Sequence, residues 1–319
     1  MQTRFTELVG CRVPVQLAGM PGIATPALAA AVANAGGLGM IGAGSLQYEV
    51  LAATLADLRE RTSGSIGVNF LMPFLDPACV PLAARTARVV EFFYGEPDPA
   101  LVDMVHAGGA LASWQIGSLP EGRAAVEAGC DVIIAQGTEA GGHVRGRIGL
   151  LPLLSQLLDA VSVPVLAAGG IATARDVAAA LAAGAAGVRV GTRFVAAAES
   201  GAHPAYVAAL LRADAEDTVL TEAFSIMWPN APHRVLRSCV EAAGALTQDI
   251  VGEIDWGGQT MPIPRFAVMV PTAQTCGRID AMALYAGESV GAVRRVQPAA
   301  DIVRELVDGA ERLLRGMPA

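Results

Sequence analysis

Eight short runs of apolar residues recur along the first 190 residues, and segments of helical period separate them. The runs cover residues 13–17, 38–41, 66–71, 89–94, 110–116, 131–135, 163–168 and 187–190. Nearly continuous apolar strands are typical of a parallel sheet that helices cover. The segments between them, such as 26–34, 49–61 and 173–183, have amphipathic helical spacing. Eight strand–helix units predict an α/β fold, and specifically a (β/α)8 TIM barrel.

The pattern changes after about residue 210. Residues 211–284 contain several acidic residues, then an aromatic and proline cluster at 224–234, then a proline-rich region. We interpret this segment as a smaller, mainly helical subdomain, inserted near the C-terminus, that caps the barrel mouth. Residues 302–314 return to helical spacing and are predicted to form the last barrel helix. The expected barrel therefore consists of residues 1–210 and 285–319.

Composition and charge narrow the class of protein. Hydrophobic residues make up 53% of the 319 residues and charged residues 16%, which favours a large core over disorder. The net charge of −8 argues against a nucleic-acid or anionic-membrane partner. The five cysteines are scattered without a CxxC pair, as expected for idle thiols in a reducing compartment. We therefore expect a cytoplasmic protein.

Glycine pairs follow the seventh and eighth predicted strands. Gly169 and Gly170 come after residues 163–168, and Gly191 and Thr192 come after residues 187–190. The loops after these two strands are the usual phosphate site of a TIM barrel. Glycine lets backbone N–H groups approach phosphate oxygens, and a threonine hydroxyl adds a donor. These glycines would also suit tight strand-to-helix turns alone, but together they predict phosphate binding.

His143 differs from the other histidines in its position. It follows Gly141 and Gly142 just after the sixth predicted strand, so its imidazole is expected to project over the barrel mouth as an acid or base. His106 and His203 are interpreted as surface or capping residues. The chain contains no dinucleotide-binding glycine fingerprint, no His-Glu-x-x-His and no Gly-x-Ser-x-Gly. These absences argue against a tightly held NAD, a metal and a serine hydrolase elbow.

Three motifs together resemble those of the nitronate monooxygenase family. They are Gln-Gly-Thr-Glu-Ala-Gly-Gly-His at 136–143, Ala-Ala-Gly-Gly-Ile at 167–171 and Gly-Thr-Arg-Phe at 191–194. Gly-Met at 19–20, Gly-Val-Asn at 67–69 and the tail at 283–287 are similar as well. The resemblance spans the whole chain. It belongs to a wider group of FMN-binding barrels that includes flavin-dependent enoyl reductases and quinone reductases.

The resemblance implies an FMN cofactor and a set of residues that bind it. These are Gly19, Met20, Asn69, Gln115, Gln136, Gly141, Gly142, Ala168, Gly169, Gly170, Gly191 and Thr192. His143 would act as a base toward a nitroalkane, or hold the anionic nitronate when protonated, and an ordinary pKa near 6.5 would suit either task. Trp228 and Arg234 are expected either to contact the substrate or to pack between insert and barrel.

The implied activity is oxidation of alkyl nitronates or nitroalkanes with O2 to carbonyl compounds and nitrite. The partners would be a small-molecule substrate and O2, and a homodimer is compatible with the resemblance. Two alternatives stay open: an NAD(P)H-dependent flavin reductase acting on an enoyl thioester or quinone, and a non-catalytic FMN-binding protein. The sequence departs from the family pattern in the Val144-Arg145 extension after His143. It also has Gln115 where some relatives have a lysine, which would lower the flavin potential.

Overall fold

Eight parallel strands form the barrel that the sequence predicts. The computed structural model describes residues 1–256 and 259–316. The barrel strands are β1 (Val15–Leu17), β2 (Gly39–Gly42), β3 (Ile66–Leu71), β4 (Val89–Phe93), β5 (Leu111–Ile116), β6 (Val132–Gln136), β8 (Val165–Ala168) and β9 (Gly187–Val190). Their spatial order is β1-β9-β8-β6-β5-β4-β3-β2, and a parallel bridge between Gln16 and Leu38 joins the two ends. The (β/α)8 prediction is confirmed.

Helices cover the outside of this barrel. The helices in chain order are α1 (Arg4–Val9), α2 (Pro26–Asn34), α3 (Tyr48–Arg61), α4 (Cys79–Thr86), α5 (Pro99–Ala107), α6 (Leu119–Glu127), α7 (Leu150–Ala160), α8 (Ala174–Ala182), α9 (Thr192–Val195), α10 (Pro204–Arg212), α11 (Arg237–Ala245) and α12 (Ala299–Arg315), of which α11 belongs to the inserted segment. Capping residues fix where several of these helices begin. Thr25 caps α2 and Pro26 occupies its first turn, while Thr173 and Asp176 form a capping box on α8. Helix α12 packs on α8 and α2, so the predicted last helix is confirmed.

The outward face of the strands supplies the contacts with these helices. Phe70, Phe92 and Trp114 lie in register on β3, β4 and β5 and are buried. Phe92 packs against both neighbours, with ring centroids 6.0 Å from Phe70 and 4.9 Å from Trp114. Each aromatic side chain buries a large apolar area, so this row anchors one side of the barrel to its helices.

The helical character expected for residues 211–284 is wrong. Among its described residues, this segment contains the nine-residue helix α11 and the strands β10 (Thr218–Thr221), β11 (His233–Leu236), β12 (Ile250–Trp256), β13 (Gln259–Pro264) and β14 (Thr275–Gly277). Strands β12, β13 and β14 form an antiparallel sheet, in which Val251, Ile254 and Ile263 are buried. These strands are short and contain prolines. Their sequence therefore looks like that of a turn region, although it alternates with period two.

A second small sheet connects the insert with the barrel loops. Strand β11 pairs with β10 on one side and with β7 (Gly142–His143) on the other. Residues 257–258 of the expected insert and 317–319 of the expected barrel lie outside the described residues. Within the described ranges, none of the helices has the length and apolar character that crossing a bilayer requires.

Candidate active site

The β7–β11 pairing brings two histidines together at the barrel mouth. His143 is the register partner of His233, although 90 residues separate them, and Gly142 is the partner of Arg234. On the barrel side, the Gln136 amide donates from Nε2 to the His143 carbonyl at 2.8 Å and accepts from the Arg145 N–H at 3.3 Å. Gln136 therefore braces the backbone that carries His143, and both functional groups of its amide are engaged there.

Aromatic rings surround the His143 imidazole. The Trp228 ring stacks on it, with centroids 3.8 Å apart and planes at 18°. Tyr94 meets it edge-on at 5.9 Å, and Tyr285 lies at 5.6 Å. Tyr94 also contacts Trp228 edge-on at 4.8 Å. The insert thus contributes Trp228 to the surroundings of a histidine that the barrel loop presents.

These surroundings keep His143 neutral. Burial is the main cause that lowers the pKa of His143 to about 3, and the neighbouring His233 contributes to this shift. Nε2 is buried, and none of the described residues forms a hydrogen bond with it. The expectation of an ordinary pKa near 6.5 is therefore wrong, because a charged imidazole would lose its hydration here.

His233 has a fixed protonation pattern. Its Nδ1 lies 2.9 Å from the Ala231 carbonyl, and its Nε2 accepts from the Phe224 N–H at 3.2 Å. A nitrogen that accepts an N–H bond carries no proton, so Nδ1–H donates to Ala231 and the ring is neutral. Burial likewise lowers the pKa of His233. The pair therefore avoids placing two cations side by side.

The first predicted phosphate loop has a backbone that requires glycine at two positions. Gly169 has φ +108° and Gly170 has φ +69°, which only glycine adopts without strain. Gly170 lies against Glu139, whose carboxylate accepts the N–H of Leu150 at 3.0 Å and so caps α7. An added Cβ at Gly191 would meet only Ala18 and the Met20 sulfur, at 3.4 and 3.7 Å.

A segment near the C-terminus, which includes Gly287, holds Thr192 in place. Its buried hydroxyl oxygen accepts the N–H of Gly287 at 3.0 Å. Its proton is therefore left to donate elsewhere. Gly141 also meets this segment, since a Cβ there would lie 2.5 Å from the Gly287 nitrogen. The tail motif at 283–287 thus closes onto both glycine-rich loops.

Several buried polar atoms in the barrel interior and at its mouth lack a partner among the residues that the structure describes. They are Asn69 Oδ1, Ser113 Oγ, Gln115 Oε1, His143 Nε2 and Arg189 Nε. Unsatisfied buried polar atoms are costly and rare in proteins, so those near the barrel mouth are suited to a polar ligand. A flavin has N–H, C=O and hydroxyl groups, and the glycine loops offer backbone N–H groups that no side chain of their own covers. The residues present fit such a group.

The remaining predicted residues have mainly structural surroundings. Arg234 donates to the Thr138 carbonyl at 2.9 and 3.0 Å and to the Thr218 hydroxyl at 3.2 Å, and it pairs with Glu288 at 3.0 Å. It is a buried clamp between insert and barrel, and its charge is paired within the protein. Ala168 is buried at the end of β8.

The extension after His143 ties the same hairpin to the barrel. The Val144 N–H donates to the Pro232 carbonyl at 2.8 Å, which prolongs the β7–β11 pairing. The Arg145 guanidinium forms ion pairs with Glu121 at 2.6 Å and with Glu96. The extra residues therefore brace the loop that presents His143.

Sequence reasoning missed Tyr94 and Glu91. Tyr94 has φ +68°, an unfavourable conformation for a bulky residue, and strain of this kind concentrates at functional sites. Glu91 is wholly buried within the fourth apolar run. A carboxylate inside a strand that is otherwise apolar is the signal that could have identified it.

Comparisons with known proteins agree with this architecture. The family model for nitronate monooxygenase matches residues 2–80 and 79–309. A protein described as "Probable nitronate monooxygenase" from Staphylococcus aureus (strain JH9) is 32% identical, over 70% of this chain and 76% of the relative. A (3aS,4S,5R,7aS)-5-hydroxy-7a-methyl-1-oxo-octahydro-1H-indene-4-carboxyl-CoA dehydrogenase from Rhodococcus jostii (strain RHA1) is 36% identical over 75% of this chain. The match covers 66% of that relative, just under two thirds of its length.

Solved structures with the same fold include two of similar sequence identity. FabK from Thermotoga maritima superposes with a TM-score of 0.81 at 29% identity, covering 99% of this chain and 98% of that one. The nitroalkane oxidase from Streptomyces ansochromogenes superposes with a TM-score of 0.76 at 29% identity, covering 98% of each chain. The chain therefore belongs to the nitronate monooxygenase family, and it is an oxidoreductase.

Proposed function

We propose that this protein is an FMN-dependent nitronate monooxygenase that converts alkyl nitronates and O2 to carbonyl compounds and nitrite. The observation that carries the proposal is the neutral, half-buried His143, whose Nε2 is enclosed, presented at the barrel mouth and stacked on Trp228. Members of the family are flavoproteins, and the unpaired polar atoms and glycine loops of this chain suit a flavin mononucleotide. The flavin would supply the redox chemistry, taking electrons from the substrate and passing them to O2.

The protein's part is to bind and orient the two reactants. The phosphate would be held by the backbone N–H groups at Gly169, Gly170 and Gly191 and by the Thr192 hydroxyl. Asn69 and Gln115 would offer side-chain oxygens to the cofactor's donors. A cofactor with a single phosphate is favoured, since two short glycine loops supply the donors.

The lowered pKa of His143 sharpens the substrate class. A neutral imidazole with a pKa of about 3 is a much weaker base than free histidine, so removing a proton from a neutral nitroalkane would be slow. The same neutral ring can donate its N–H to an oxygen of a preformed nitronate. We therefore propose alkyl nitronates as the preferred substrates, with neutral nitroalkanes as slower ones.

The aromatic surroundings suit a small apolar substrate with one anionic group. Trp228, Tyr94 and Tyr285 provide apolar surface next to His143. The Arg234 guanidinium is already paired with Glu288, so the anion would rely on neutral N–H and O–H donors. Such a pocket suits a short alkyl nitronate better than a dinucleotide, which requires several phosphate donors.

A second candidate is a flavin-dependent enzyme that acts on an acyl-CoA or another acyl thioester. The 36% identity with the Rhodococcus carboxyl-CoA dehydrogenase favours it. A dehydrogenase or reductase of this kind would share the flavin site and His143. Anaerobic reduction of the bound flavin by NADH, NADPH or an acyl-CoA would support this candidate over the first.

The test of the main proposal is direct. The purified protein is expected to be yellow, to release FMN on denaturation, and to form nitrite from ethylnitronate in air. A colourless protein that fails to bind added micromolar FMN would contradict the cofactor. An FMN-loaded protein that forms no nitrite would contradict the activity. The cytoplasmic location, the homodimer and the domain division remain predictions.

A further inference from the structure

A buried carboxylate lies beneath the barrel mouth, at the centre of a polar network. Glu91, in the middle of β4, is completely buried. Its carboxylate accepts from Gln16 Nε2 at 2.7 Å and from Asn69 Nδ2 at 2.8 Å, and Arg189 Nη1 lies 2.8 Å away. These partners come from β1, β3 and β9, so one side chain connects four strands inside the barrel.

The charge state of this network follows from its composition. A buried carboxylate is stable only when it is paired and hydrogen-bonded, and Glu91 has a guanidinium and two amide donors. Burial lowers the pKa of Arg189, and Glu91 opposes that effect. Arginine remains protonated in proteins, so the guanidinium beside Glu91 favours its carboxylate form.

An ionised Glu91 determines which way the Asn69 amide points. A carboxylate accepts hydrogen bonds and donates none, so Asn69 must turn its NH2 group toward Glu91. Its Oδ1 then points away, and it is buried without a partner among the described residues. An added Cβ on Gly19 would lie 2.4 Å from the Asn69 Cβ and 3.3 Å from this Oδ1. Oδ1 therefore lies beside the loop that follows β1, at the C-terminal end of the strands.

We propose that Glu91 is a positioning residue that holds Asn69 so that its carbonyl oxygen, and not its NH2, faces the cofactor. This inference rests on the proposed FMN site. The Asn69 oxygen would accept an N–H or O–H of the flavin. Without the Glu91 carboxylate, the amide could rotate and present the wrong group. Glu91 therefore acts through Asn69 and does not itself touch the cofactor.

Two variants separate positioning from structural support. Glu91→Gln removes the anion, frees the Asn69 amide and leaves Arg189 as an unpaired buried cation. The double variant Glu91→Gln/Arg189→Met removes both charges, and replacing a buried ion pair by neutral groups is often tolerated. Asp131→Asn is the matched control, because Asp131 accepts the Ala112 N–H at 2.8 Å at the opposite, N-terminal end of β6.

The measurements are the FMN dissociation constant of each folded variant, the flavin midpoint potential and the melting temperature. Glu91→Gln is expected to bind FMN about tenfold more weakly, the effect of losing about one hydrogen bond. Its potential is expected to rise, because an unpaired cation favours the electron-rich reduced flavin. The double variant should keep the weaker binding but lose the change in potential. Asp131→Asn should change the melting temperature only.

The FMN affinity of the double variant tests the positioning role of Glu91 even if Glu91→Gln fails to fold. A folded double variant that binds FMN as tightly as the wild type would overturn the positioning role. Wild-type protein that binds no FMN would overturn the proposed cofactor and this inference with it. Turnover of nitronates does not enter this test, so the two proposals can fail separately.

Discussion

His143 is predicted to remain neutral down to pH 5, well below the point at which a free histidine gains a proton. Burial is the main cause, since a charged ring under Trp228 would lose its hydration, and His233 adds to the effect. The pH is lowered from 8 to 5, and the stability of the wild type is compared with that of His143→Gln.

The cost to stability can be worked out from the pKa. The unfolded chain takes up a proton at His143 near pH 6.5, whereas the folded protein does so only near pH 3. At pH 5 the unfolded state therefore binds more protons, and stability falls as the pH falls from about 6.5 toward 3. The full pKa difference between the folded and unfolded states corresponds to about 5 kcal/mol of stability, at 1.36 kcal/mol per pKa unit. Between pH 7 and pH 5 it is about 2 kcal/mol, an upper limit because the ring is only partly shielded from water.

Selective ¹³C labelling of histidine provides the assay. The chain has four histidines, and each NMR signal can be assigned with a His→Gln variant. The His143 Cε1–H signal is expected to keep its chemical shift from pH 8 to pH 5. Urea unfolding of His143→Gln should lose less stability over this range than the wild type. A His143 signal that titrates with a midpoint near 6.5 would refute the reasoning.

Three further predictions concern turnover, cofactor retention and substrate affinity. His143→Ala should retain FMN and lose about 10–100-fold in turnover of preformed nitronates, because a hydrogen bond to the anion is lost, as steady-state kinetics can show; nitronate turnover equal to that of the wild type would remove His143 from this role. Gly170→Val should lose flavin on gel filtration, because a side chain at φ +69° is strained and points at the Glu139 side chain. Gly10→Ala, at φ +79° with open space around it, should retain flavin; loss of flavin in both would point to general instability. Trp228→Ala should raise the KM for nitronates at unchanged FMN content, and an unchanged KM would assign Trp228 to packing alone.

The barrel was predictable because its signals are local. Apolar runs of strand length, helix caps such as Thr25, and the glycines at strand ends all depend on neighbouring residues. Helix α2 has the bounds 26–34 that its pattern predicts. His143 could be singled out for the same reason, as a histidine directly after two glycines.

The interior of the site was not predictable, because it depends on contacts between distant parts of the chain. The pairing of His143 with His233, and the pKa that results from it, follows from a strand pairing across 90 residues. The sequence leaves Arg234 open between a substrate contact and packing, and only the fold brings Glu288 and Thr138 beside it. The antiparallel strands of the insert are short, and no long-range partner can be inferred from their pattern.

The measurement that tests the central claim most directly is anaerobic reduction of the bound flavin in the purified holoprotein. Ethylnitronate, NADH, NADPH and an acyl-CoA would each be mixed with it in the absence of O2, and the flavin absorbance followed. The account predicts that ethylnitronate bleaches the flavin rapidly and that the nicotinamides and the thioester do not. Bleaching by NADH, NADPH or the acyl-CoA, with none by ethylnitronate, would contradict it.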